Sequence, residues 1–114
     1  MSTFAVARLH RVNMGAEIVE YLERIDETLE PFGGRFLVHG GRLEVLEGKW
    51  PGDLIIIEFP DRETARAWYG SSAYQSILPL RVRNSQGNVV LIDAVPGNHR
   101  ATDILNGSGR SNHT

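Results

Sequence analysis

Six side chains with acid–base or anion-binding chemistry fall in strand-like stretches: Arg8, His10, Arg35, His39, Glu58 and Asp93. An imidazole in a partly dry site can take up or release a proton near neutral pH. A guanidinium beside it can hold an anionic group of a small molecule. His39 and Glu58 are therefore the candidate catalytic groups. Arg8, His10, Arg35 and Asp93 are candidate ligand contacts, joined by Trp50, Tyr69 and Tyr74, whose rings and polar tips suit a pocket wall or mouth. The same charges have a plainer use as cross-strand ion pairs, Arg8 with Glu58 and His10 with Asp93. Trp68 shares a helical face with Ala65 and is assigned to the core.

Other chemistries lack their residues. The chain has no cysteine, which removes disulfides, thiolate metal sites and cysteine nucleophiles. Of its four histidines, His99 and His113 lie near the C-terminus, and none has the HxH or HxxxH spacing of a metal site. No histidine stands in a context suited to haem. Phosphate loops, dinucleotide fingerprints and serine elbows are missing. No metal and no cofactor are expected.

The 114 residues suit one domain. A net charge of −2 points to neither nucleic acid nor an anionic membrane as partner. No apolar run approaches the ~20 residues of a membrane span. Arg8 and His10 interrupt the N-terminal stretch where a signal peptide needs apolar residues. A cytoplasmic protein is expected.

The elements that would position these groups follow from periodicity. FAVARLHRV (4–12) alternates as a strand, and residues 14–34 carry Ile18, Leu22, Ile25 and Leu29 at helical spacing until Pro31 and Gly33–Gly34 stop them. RFLVHG predicts a second strand, with LEVLEG (43–48) as a short extension. DLIIIEFP (53–60), rich in β-branched residues, is the strongest strand. Asp61 caps a helix over 62–70. Ser72 and Gln75 have capping-box spacing for a further helical segment, which Pro79 should kink or divide. GNVVLIDAV (87–95) closes the series, and the polar stretch 97–114 reads as a mobile tail after a domain at 1–96.

The order β-α-β-β-α-β predicts an α+β, ferredoxin-like fold, a four-stranded antiparallel sheet with helices on one face. Side chains alternate across each strand. Ala5, Ala7, Leu9, Phe36, Val38, Ile55, Ile57, Phe59, Val90 and Ile92 form the apolar sets expected under the helices. The opposite sets mix Phe4, Val6, Leu37, Leu54, Ile56, Val89 and Leu91 with the six polar candidates. So large an apolar face is unfavourable in water. Two copies packed sheet to sheet would bury it, so a symmetric homodimer is expected, with a polar cavity between the sheets.

The segments GGRFLVHGG, VLEGKW, IIIEFPDRETARAWYGSSAYQ and VVLIDAV, in this order, resemble a bacterial family of domains of unknown function within the dimeric α+β barrel superfamily. The resemblance covers residues 3–95 and is most specific over 58–75. It implies a ferredoxin-like protomer paired face to face with a second copy in a dimeric α+β barrel. Superfamily branches include cofactor-free monooxygenases, isomerases, haem-dependent enzymes and small-molecule-binding regulators. Many members have arginine where this chain has His39, so an anion-binding role does not carry over to that position. Three kinds of function remain: a cofactor-independent enzyme on a small molecule, a binding or sensing module using the same cavity, and a structural dimer.

Overall fold

A computed structural model of the chain describes residues 1–106. Strand β1 (Thr3–His10) leads into helix α1 (Ala16–Leu29) and a 3-10 turn at Glu30–Phe32. Strands β2 (Arg35–His39) and β3 (Asp53–Phe59) follow, then helices α2 (Arg62–Gly70) and α3 (Ser72–Val82), and strand β4 (Gln86–Asp93). The strands form one antiparallel sheet in the order β2-β3-β1-β4. This is the ferredoxin-like α+β arrangement predicted from the element order.

The helices form for local reasons. Asp61 accepts the Thr64 backbone N–H at 2.8 Å and opens α2. Ser71 opens α3, accepting from the Tyr74 N–H at 3.2 Å while its hydroxyl donates to the Trp68 carbonyl at 2.7 Å. One serine thus closes α2 and starts α3. The predicted Ser72–Gln75 capping box does not form. The cap falls one residue earlier, and the Gln75 amide donates to the Tyr69 carbonyl instead. Pro79 does not divide α3, which runs unbroken to Val82. The 3-10 turn after α1 ends where Gly33 adopts φ 67°, a left-handed turn open to glycine at little cost.

The predicted extension at 43–48 is not a strand. Residues 40–52 form an irregular loop with Leu43, Val45 and Leu46 exposed. Among the described residues β2 and β4 keep free outer edges, but this segment, bracketed by Gly40–Gly41 and by Gly48, Pro51 and Gly52, pairs with neither. The loop returns through Gly52 at φ 99°, where an added Cβ would lie 2.3 Å from the Leu9 carbonyl oxygen. After β4, a 3-10 turn forms at Ala101–Asn106. The rest of the predicted tail, 107–114, lies outside the described residues. Among the described residues no helix is long and apolar enough to cross a membrane.

The core lies between the helices and one face of the sheet. Ala5, Ile57 and Phe59 from the strands meet Ile25 and Leu29 of α1, Ala65 and Trp68 of α2, and Tyr74 and Ile77 of α3. Residues opposite one another in an antiparallel sheet share a face. The pairings Ala5↔Leu91, Ala7↔Val89 and Thr3↔Asp93 therefore put Val89, Leu91 and Asp93 on the helix side. Val90 and Ile92 face away, each 54% exposed. This reverses the expected assignment for β4. Both of its residue sets are apolar, so alternation alone carries no phase, and register decides.

A second reversal occurs in β2. Phe36 pairs with Ile57, yet Val38 pairs with Ile56 and His39 with Ile55. Leu37 is the extra residue of a bulge. Beyond it the strand changes phase. Val38 moves to the open face, and His39 moves to the helix side with Phe36.

Candidate functional site

The predicted polar constellation divides between the two faces. On the open face, Glu58 is held by two partners. The Ser2 hydroxyl donates at 2.7 Å, and the Arg35 guanidinium donates two hydrogen bonds to the other oxygen at 2.8 and 3.0 Å. The Ser2 bond first, then Arg35, keep the Glu58 carboxyl below its ordinary range. Arg8 does not pair with Glu58. It lies opposite Leu54 and Asn88, while Phe4 lies opposite Glu58. Arg8 instead places its guanidinium 5.9 Å from the centre of the Trp50 ring, a cation–π contact. His10 sits at the end of β1 opposite Gln86, and its buried Nδ1 has no hydrogen-bond partner among the described residues.

Asp93 is on the helix side and does not pair with His10. It accepts a bond from the Thr3 hydroxyl at 2.8 Å and an ion-pair contact from Arg62 at 3.1 Å. The Thr3 bond chiefly, and Arg62 after it, lower its pKa. The expected cross-strand pairs thus give way to Arg35–Glu58 and Arg62–Asp93. Both replacements follow from register, which residue types alone do not encode.

The cavity that this chain encloses by itself lies between helices and sheet, with a volume of about 270 Å³. Its floor is Ala5, Ala7, Leu9, Ile55, Ile57 and Val89. The two alanines matter most, because their short side chains leave the space that a larger residue would fill. Ile18, Tyr21, Leu22 and Ile25 of α1 form one wall, and Trp68, Tyr69, Tyr74 and Arg81 of α2 and α3 another. Val12 and Met14 from the β1–α1 loop, with Phe36, His39, Gly40, Asp53 and Ser85, complete the lining.

Three predicted residues meet here: His39, Tyr69 and Tyr74. The His39 ring stacks on Phe36 with centroids 4.3 Å apart and planes 12° from parallel. Its stacking fixes the ring plane while the residue itself stays exposed. Tyr74 is fully buried, packed against Trp68 at 4.1 Å, and its hydroxyl shares a 2.7 Å hydrogen bond with that of Tyr21. Burial pushes the Tyr21 hydroxyl well above the ordinary tyrosine range. Tyr69 is 39% exposed, with its ring 5.5 Å from Tyr74. Trp68 belongs to the core as expected, and its indole N–H donates to Thr28 at 3.0 Å.

Sequence reasoning missed Tyr21, Asp53 and Arg81 as site residues. Tyr21 was visible only as part of an apolar helical face. Arg81 stands near the C-terminal end of a helix, where a basic residue commonly meets the dipole. Its guanidinium lies 5.9 Å from the centre of the Tyr21 ring. Among the described residues no three His, Asp or Glu side chains gather as a metal site would need.

Residues 2–95 match the model of a family described as "Domain of unknown function (DUF1330)". None of the curated proteins is significantly similar to the chain. Several solved structures share its fold. A dimeric ferredoxin-like protein of unknown function from a Jannaschia species is 14% identical, with a TM-score of 0.65, over 82% of this chain and 100% of that one. A protein of unknown function from Rhodopseudomonas palustris is 12% identical, with a TM-score of 0.64, over 83% of each chain. SnoaB, a cofactor-independent oxygenase from Streptomyces nogalater, is 16% identical, with a TM-score of 0.51, over 87% of this chain and 98% of that one.

Proposed function

The chain belongs to this family of domains of unknown function, and on that premise we propose that it is a homodimer that handles a small, largely apolar molecule in the helix–sheet cavity. The observation that carries the reading is the cavity itself, about 270 Å³, apolar in its floor and walls and holding His39. An apolar pocket with a few convergent polar groups is the usual form of a small-molecule site. His39 is the group suited to proton transfer. Its imidazole accepts a proton from an acidic C–H or O–H of the bound molecule and returns it, a chemistry that needs no cofactor. The shared fold with a cofactor-independent oxygenase supports this choice.

Glu58, with Arg35 and Arg8, takes a different part. Its carboxylate lies on the open face, occupied by Ser2 and Arg35, so the sheet separates it from His39. The open face carries Phe4, Val6, Leu54, Ile56, Val38, Val90 and Ile92. A second copy packed there covers these residues and Trp50 together. The dimeric state of the Jannaschia protein supports that packing.

The test is His39→Gln, which keeps the ring's approximate volume and polarity without its basicity. The expected outcome is a folded dimer that still binds the ligand recovered with the native protein but no longer exchanges that ligand's acidic hydrogen for deuterium. Undiminished exchange would remove His39 as base and leave a binding or sensing module.

A further inference from the structure

The two arginines at the end of α3 meet different fates. Arg83 is exposed and neutralised by Glu17 at 2.6 Å. Arg81 is half-buried, lines the cavity, and has no carboxylate within ion-pairing distance among the described residues. Its guanidinium stands against the ring of Tyr21, whose hydroxyl is paired with that of Tyr74. A cation against an apolar wall is costly unless an opposite charge joins it. The C-terminal dipole of α3 acts on both arginines alike, so it does not explain why only one turns inward.

Resting on the cavity reading, we infer that Arg81, with the Tyr21–Tyr74 hydroxyl pair beside it, binds the anionic head of an amphipathic ligand, a carboxylate on an apolar body that lies over Ala5 and Ala7. The guanidinium supplies a forked donor to a carboxylate. One of the two hydroxyl protons in the tyrosine pair is free to donate outward, because the pair itself uses only one. The volume admits roughly ten heavy atoms, at the ~30 Å³ that one water takes in the liquid. That is the size of a medium-chain fatty acid or a substituted benzoate.

Octanoate and 1-octanol are suitable probes, since they share an eight-carbon chain and differ in charge. Calorimetric titration of the native protein should show octanoate binding at least about tenfold tighter than octanol. Arg81→Gln should erase that preference and leave octanol affinity unchanged, and Arg81→Lys should retain part of it. Ala7→Leu, which fills the floor, should abolish both. Equal affinity of the two probes for the native protein would overturn the anion anchor, and loss of both in Ala7→Leu would then leave the cavity reading standing. Failure of both probes to bind the native protein would overturn the cavity reading and the anchor with it. Should Arg81→Gln not fold, the native preference and the Arg81→Lys result decide the matter.

Discussion

Four carboxylates are held below their ordinary range by hydrogen-bonded partners. Glu58 is lowered by Ser2 and then Arg35, Asp93 by Thr3 and then Arg62, Glu17 by Arg83 and then Asn84, and Asp61 by Thr64. Each has a folded pKa below its unfolded value, so each stabilises fully above that value. The ordinary values are 4.5 for the glutamates and 3.8 for the aspartates. The melting temperature should therefore be flat with respect to these groups above about pH 5 and fall as pH drops through the lowered values. In Glu58→Gln part of that acid slope should vanish, measured as melting temperature against pH, while an unchanged slope would mean that the Ser2–Glu58–Arg35 contact carries none of it. The residue types of the site were legible in the sequence for His39, Tyr69 and Tyr74. Their grouping was not, because which residues meet depends on pairing register, and a pattern of alternating apolar side chains is the same in either phase.

At the scale of elements, periodicity gave the correct series of helices and strands, and departures came at the ends and turns. Asp61 was readable because an N-cap acts over three residues. The 43–48 segment looked like a strand by composition, but it is bracketed by glycines and pairs with neither outer edge of the sheet. Gly52 shows how firmly the loop between β2 and β3 is fastened. Its left-handed backbone and its approach to the Leu9 carbonyl leave no place for a side chain. Gly52→Ala should cost about 2–4 kcal/mol of stability, measured by urea unfolding. A cost below about 0.5 kcal/mol, the usual range for surface substitutions, would mean that the loop shifts freely.

At the scale of the whole molecule, a sheet with one covered and one apolar open face was evident from the sequence, and so was the ferredoxin-like order. The location of the cavity was not, because it depends on how far the helices stand above two alanines. Val6 is the natural probe of the open face, flanked by Ile56 and Val90 in register. Val6→Asp should weaken self-association by about 100-fold or more, since it buries a charge without a partner. Native mass spectrometry across a dilution series would read that directly, and an unaltered dimer would place the contact elsewhere.

The bulge at Leu37 has a consequence for how such a protein diversifies. A substitution in β2 changes one side chain on one face. Pairing Leu37 in regular register, with the bulge smoothed out and no residue gained or lost, would exchange the addresses of Val38 and His39, taking the imidazole out of the cavity and seating it against the open sheet. A change that removes the bulge but keeps the residue can therefore relocate a reactive group, and chains of the same length and almost identical composition can differ in which compartment holds their chemistry.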